Sequence, residues 1–319
     1  MAYTKDALAT MLLTMALLAN REEYVRPYGA QEFSRLEQRV RECGLTGIGD
    51  LMGVDISGLM IELDLPEEEA YRIYTLLSRS VQLSYSMERF MELGIRIVTL
   101  HNDDYPARLA QRLASAPPPF LYRCGNAALI GGPAVAILGN SGVKTSQEMR
   151  QGVARMVREA SQCGYAIVTS GELGVSRVAA IAVAECGGRL IDVLGGGMEE
   201  HIAEAPFAAL LEEGRMAVVS TEHPEALLTI THAIARNRAI FALSDAAFVC
   251  NTDNRRGETE ALRNRYCDWI YAWTGYPANG TLISRGAIPV ADFAGFDFEA
   301  ASRNWKNAQS EQLSFFDLM

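Results

Sequence analysis

Apolar residues follow two rhythms along this chain. Up to residue 94 they recur at helical spacing, over 6–20, 31–43, 56–63 and 66–93, with no β alternation. Pro66 opens the last of these stretches, Glu67, Glu68 and Glu69 fill its first turn, and Gly94 stands where a C-terminal cap belongs. The pattern predicts a compact helical domain over 1–94. Ile95 to Leu100 then reads as a strand, and the prolines of Ala116-Pro117-Pro118-Pro119 keep the chain extended before Phe120-Leu121-Tyr122. From residue 134 short apolar runs at 134–138, 165–169, 189–194, 216–220, 246–250 and 268–273 alternate with helical stretches at 145–163, 175–187, 204–213, 231–243 and 257–266. Such alternation predicts an α/β fold: a doubly wound, mainly parallel sheet over 95–295, with a binding crevice at the carboxyl ends of its strands.

Three of the runs end in small-residue turns: Gly139-Asn140-Ser141-Gly142, Ser170-Gly171 and Gly195-Gly196-Gly197. Glycine after a strand lets the backbone approach a phosphate, and the following helix N-terminus offers N–H groups and partial positive charge. Lys144 and Thr145 add a cation and a hydroxyl to the first turn. Arg236-Asn237-Arg238 lies in an otherwise apolar helical stretch, where a buried charge demands a partner. That partner is either a phosphate or a structural carboxylate, Glu222 or Asp245. Arg255 and Arg256, with Gly257, make a further phosphate turn or a solvated loop. In the first domain Gly44-Leu45-Thr46-Gly47-Ile48-Gly49 resembles a helix-hairpin-helix turn that grips DNA through main-chain N–H groups; a plain helix-helix turn is the alternative.

Composition narrows the classes. The chain has 319 residues, 49% of them hydrophobic, and a formal net charge of −10. That charge opposes nucleic-acid binding by the whole surface, so any such site is a local basic patch. Six cysteines lie scattered without a CxxC or Cys/His cluster, which points to reduced thiols in a cytoplasmic protein and to no metal site. The apolar run at 7–19 is too short to span a bilayer and lacks the cationic start and cleavage flank of a signal peptide, so it reads as a buried first helix.

Taken in order and spacing, Tyr105-Pro106, the run from Pro119 to Asn126, the Gly139 turn, Ser170-Gly171, Val193-Leu194-Gly195-Gly196-Gly197, Arg236-Asn237-Arg238 and Asn279-Gly280-Thr281 resemble the DNA-processing protein A family. The resemblance covers residues 95–290 and implies an extended Rossmann-like fold. It further implies a non-enzymatic protein without cofactor that binds single-stranded DNA, pairs as a homodimer and hands the strand to RecA. The DNA-contacting residues expected on this reading are Gly139, Asn140, Ser141, Ser170, Gly171, Gly195, Gly196, Gly197, Arg236, Asn237 and Arg238, with Lys144, Arg255 and Arg256 adding charge. Two departures stand out. The family's first turn reads Gly-Ser-Arg where this chain has Gly139-Asn140-Ser141, and Lys144 is no planar guanidinium fork. The second turn carries Glu172, which repels phosphate. The winged-helix tail of many members is replaced at 296–319 by a polar, flexible segment ending in Gln312-Leu313-Ser314-Phe315-Phe316-Asp317-Leu318-Met319. Gln312, Leu313, Phe315 and Phe316 resemble the peptide that docks on the replication sliding clamp; the alternative is that the phenylalanines cover the protein's own core.

Two other classes compete. Some relatives without the tail act as antitoxin or regulatory partners of a phosphoribosyltransferase-like toxin in phage defence. Related Rossmann-like families sense or process nucleotides, a chemistry that wants a crevice carboxylate, for which Glu172, Glu258 and Glu260 are the candidates. No residue is assigned a catalytic role in the favoured reading.

Overall fold

The structure is a computed structural model that describes residues 3–19, 23–142, 144–252, 256–292 and 295–316, the side chains at 256 and 308–316 excepted. It divides into two compact units: Met1–Cys124 with Gly195–Glu200 and Val219–Leu228, and Gly125–Leu194 with His201–Val218 and Thr229–Met319.

In the first unit, helices Lys5–Thr14, Ala30–Glu42, Ile56–Leu63 and Glu67–Leu77 enclose a core of Leu13, Phe33, Leu36, Leu59, Ile73 and Leu76. Two differences from the periodicity reading meet at one residue. The first helix stops at Thr14, well short of residue 20, and the predicted 66–93 helix breaks into Glu67–Leu77 and Ser80–Glu92. Arg79, at the break, is folded inward, donating to the carbonyls of Leu12 and Met15 and pairing with Glu23. Those carbonyls are the orphan acceptors at a helix C-terminus, so a residue far along the chain satisfies the end of the first helix. Strands β1 (Ile95–Thr99) and β2 (Phe120–Gly125) pair antiparallel.

The hairpin 44–49 directs its N–H groups at carboxylates of its own unit. Thr46 N–H and hydroxyl donate to Asp50 Oδ2 at 2.8 and 2.7 Å, and Gly49 N–H donates to Asp6 Oδ1 at 2.7 Å. The Thr46 hydroxyl bond, then the main-chain bonds from Thr46 and Gly47, hold the Asp50 carboxyl below its ordinary value.

The second unit is the α/β layer. Strands β3 (Ala134–Gly139), β4 (Ala166–Thr169), β5 (Leu190–Leu194), β6 (Met216–Ser220), β7 (Ala246–Asn251), β8 (Trp269–Trp273) and β9 (Ile288–Val290) lie in the order β6-β5-β4-β3-β7-β8-β9. The pairs β3–β4, β3–β7, β4–β5, β7–β8 and β8–β9 are parallel. β3 and β7 are near-continuous apolar runs because both faces of a parallel sheet are covered. The chain winds outward from β3 through β4 and β5, then returns to place β7 on the other side of β3. The order therefore reverses between β3 and β7, and such a switch point opens a crevice at the carboxyl ends.

The segment read as a flexible tail is helical from Phe298 to Phe316. Phe298 and Trp305 are buried, packing edge-on against Tyr165, and the Trp305 indole N–H donates to the Tyr271 hydroxyl at 3.2 Å. Two aromatic anchors seven residues apart lie on one helical face, a spacing that the polar residues between them masked. The side chains of Gln312, Leu313, Phe315 and Phe316 lie outside the described residues. Among the described residues, no helix is long and apolar enough to cross a membrane.

Candidate phosphate cleft at the switch point

At the carboxyl ends of β3 and β4 a small cleft is lined by Leu138, Gly139, Asn140, Ser170, Glu172, Arg236, Asn237 and Glu258. Gly139 is pressed between Val175 and Asn251: a Cβ there would fall 2.5 Å from each side chain, so only glycine lets β3 end this close to β7. Asn251, the last residue of β7, accepts the Asn140 N–H on its Oδ1 at 2.6 Å and is fully buried. Asn279, equally buried, donates through Nδ2 to the carbonyls of Val249, Cys250 and Trp273 and so fixes the ends of β7 and β8. Helix Arg256–Asn264 comes close to helix Ile230–Leu243 at Gly257, where a Cβ would stand 2.8 Å from the Asn237 Cβ.

Arg236, buried at 4% exposure on helix Ile230–Leu243, is the cation of this cleft. Its Nε and Nη2 donate to the Asn237 Oδ1 at 3.1 and 3.0 Å, and its Nη1 stands 3.0 Å from Glu172 Oε1. That last approach is an ion pair off the angle a hydrogen bond needs, so an N–H on Nη1 keeps unspent donor capacity. Arg238 turns to Glu260, 2.5 Å away. The arginines expected to meet phosphate are thus each matched with a carboxylate, because a desolvated guanidinium requires a counter-charge wherever the fold supplies one. The carboxylates are not the two singled out from sequence. Asp245 accepts the Ala134 N–H at 2.8 Å, and Glu222 accepts the hydroxyl of its neighbour Thr221 at 3.0 Å.

The turn N–H groups are largely engaged as well. Ser170 N–H donates to Ser176 Oγ, Gly171 N–H to Thr169 Oγ1, and Gly142 N–H to Asn140 Oδ1. The helix after the first turn begins at Gln147 with Ser146 as its cap, Ser146 Oγ accepting the Met149 N–H at 3.1 Å. Lys144 is exposed in the preceding loop and, like Ser141, does not line the cleft. Gly195, Gly196 and Gly197 belong to the first unit, where Gly197 N–H donates to the Ala226 carbonyl at 2.8 Å and a Cβ on Gly196 would collide with that same carbonyl. Arg255 and the side chain of Arg256 lie outside the described residues.

Glu172 reaches Arg236 from a turn held between Gly171 and Gly174, both at left-handed φ, +68° and +77°. Gly174 caps helix Val175–Cys186 without a side-chain acceptor for that helix's first N–H groups. Free space in the cleft is about 10 Å³, room for one water, so Glu172 and its neighbours leave no space for a further group.

Sequence reasoning missed a buried pair beside this turn. Asp192, fully buried in β5, accepts from the Thr169 hydroxyl and pairs through Oδ2 with His201 Nε2 at 2.9 Å; His201 in turn stacks on Phe207 at 3.9 Å. A carboxylate inside the apolar run Leu190-Ile191-Asp192-Val193-Leu194 was the available signal, since it demands a partner.

A parallel sheet whose order reverses beside a glycine turn, with one buried guanidinium at its carboxyl edge, defines a Rossmann-like α/β protein. The chain belongs to the DNA recombination-mediator protein A family, whose model matches residues 96–266, more than half of it. Among solved structures, DNA processing protein A from Streptococcus pneumoniae is 21% identical, with a TM-score of 0.57 over 85% of this chain and 99% of that one. Helicobacter pylori DNA processing protein A, described for a single-stranded DNA binding mode, is 21% identical with a TM-score of 0.51 over 69% and 98%. At this identity the likeness establishes the fold. No curated protein matches the chain.

Proposed function

We propose that the chain acts in DNA processing and recombination by binding single-stranded DNA, with a strand phosphate taking the place of Glu172 on Arg236. Family membership supports the class of ligand, and the buried Arg236 at the switch point is the observation that carries the site. A guanidinium fork suits a phosphate as well as it suits a carboxylate. The cleft has no spare room for both anions, so binding requires the Glu172 turn to swing out on Gly171 and Gly174. Glu172 then acts as a built-in competitor that lowers affinity and raises selectivity for strands with further contacts. With a net charge of −10, the chain depends on this local cation and not on its overall field.

Fluorescence anisotropy of a labelled oligothymidine strand at two salt concentrations tests the reading, using the full chain and its Glu172→Gln and Arg236→Gln variants. Tighter, more salt-sensitive binding by Glu172→Gln and weaker binding by Arg236→Gln support it; strand binding indifferent to both overturns this site. The family resemblance extends the proposal to a homodimer and to delivery of the strand to RecA. The Gln312-Leu313-Ser314-Phe315-Phe316 segment extends it to docking on a sliding clamp, for which a synthetic peptide and purified clamp suffice. Neither the family match nor the carboxylate-paired arginines favour a toxin partner or a nucleotide hydrolase.

A further inference from the structure

The first unit has a cavity of its own. The antiparallel register of β1 and β2 sets Arg96 directly opposite Arg123, so both side chains leave the same face of the pair. Like charges at directly opposed positions repel, and nothing in sheet formation asks for them. Arg123 is buried and donates through Nη2 to a carboxylate, Asp104 Oδ2, at 2.8 Å. Arg96 is exposed, and its side chain makes no ion pair or hydrogen bond among the described residues, the Tyr3 hydroxyl lying within its field. A cavity of about 100 Å³ is therefore lined by two guanidiniums and one carboxylate, and Arg123 alone engages that carboxylate. Met87, Phe90, Met91 and Val98 supply its apolar wall, and Asn102 stands at its edge. Asn102 spends its carbonyl oxygen on the Thr99 N–H and hydroxyl at 2.8 and 2.9 Å, while its amide donors bond to nothing among the described residues.

We propose that this cavity binds a phosphate monoester carried on an apolar or flat body, a nucleoside monophosphate being the simplest form. A carboxylate has two oxygens and satisfies one guanidinium fork. A phosphate monoester has three terminal oxygens and accepts from both arginines at once, with one to spare for the Asn102 amide. Its charge removes the Arg96–Arg123 repulsion, and the flexible methionine side chains accommodate the attached body. The donors, the unbalanced charge and the apolar wall each point to the same ligand class. The phosphate monoester comes either from a free nucleotide or from the 5′ end of a DNA strand.

The test is calorimetric titration of the full chain with deoxyadenosine monophosphate, with unphosphorylated deoxyadenosine, and with 5′-phosphorylated and 5′-hydroxyl strands of one sequence. Each is repeated on Arg96→Gln, whose exposed side chain leaves folding intact, and on Met91→Glu, which sets a carboxylate at the apolar wall. The expected result is binding of the monophosphate but not of deoxyadenosine, weakened at least tenfold in both variants. A preference for the 5′-phosphorylated strand that disappears in Arg96→Gln assigns the strand end as the source; its absence alongside monophosphate binding assigns the free nucleotide. Failure of both phosphorylated probes to bind, or binding equal in wild type and both variants, overturns the proposal.

Discussion

Glu172 Oε1 stands 3.0 Å from Arg236 Nη1 in a cleft with room for one further water, so the cation of the crevice already holds its anion. Replacing Glu172 by Gln removes the competing charge while keeping the shape. Strand affinity is expected to rise by about tenfold, the ~1.4 kcal/mol scale of one charge-assisted hydrogen bond. The slope of log affinity against log salt steepens by about 0.7 as one more phosphate is engaged. The same change leaves Arg236 without a full counter-charge, so the free protein melts earlier. Anisotropy and thermal denaturation moving in opposite directions distinguish competition from a loss of structure.

Asn251 holds β3 and β7 together where the sheet order reverses. Asn251→Ala strands the Asn140 N–H and is expected to cost about 1–3 kcal/mol, the penalty of a buried donor left unmade. Urea denaturation measures the loss, and the Gly139 turn moves with it, so strand binding weakens as well.

The C-terminal helix belongs to the core of its unit through Trp305, which is 1% exposed. Trp305→Ala is expected to cost about 3–5 kcal/mol. Ending the chain at Asp297 destabilises the second unit further, because Phe298 leaves with the helix. An unchanged denaturation midpoint in both variants would return the segment to the status of a free tail.

His223 packs edge-on against Phe90 and Tyr122 and accepts the Glu225 N–H on Nδ1 at 3.2 Å, an arrangement that needs the neutral ring. Burial pushes its pKa below the ordinary 6.5; the nearby Glu225 opposes the shift and Arg89 adds to it. The unfolded chain therefore takes up this proton more readily than the folded one. The contribution to stability is intact above pH 6.5 and is lost as pH falls from there through the folded-state value. Denaturant midpoints measured across pH 5 to 8 are expected to fall on the acid side for the native chain and to flatten in His223→Gln.

Much of the architecture is legible before any coordinates. The runs that became β3, β4, β5, β7 and β8 are continuous and apolar because parallel strands are covered on both faces, and glycine or a small residue ends several of them because the chain must turn at the crevice. Of the residues that the family motifs single out, Gly139, Asn140, Ser170, Arg236 and Asn237 do line one cleft. Arg236 and Arg238 were conspicuous as charges in an apolar helix, but which groups would answer them was not encoded nearby. Glu172 lies 64 positions before Arg236 and Glu260 22 after Arg238, and only the winding of the sheet brings them together. Arg79 is the same lesson in the helical unit: periodicity extended the first helix to residue 20, and the carbonyl acceptors where it ends at Thr14 are met by a side chain from a different helix boundary.

Local periodicity and turn chemistry thus determined most of the elements and the parallel sheet, since both are written within a few residues of where they act. Tertiary structure alone decided that the crevice cation is held by Glu172, that Arg96 and Arg123 face each other across β1 and β2, and that Phe298 and Trp305 draw the C-terminal segment into the core. Those are pairings between distant positions, set by register and strand order, and the desolvation cost of an unmatched charge makes them as binding on the fold as the apolar runs themselves.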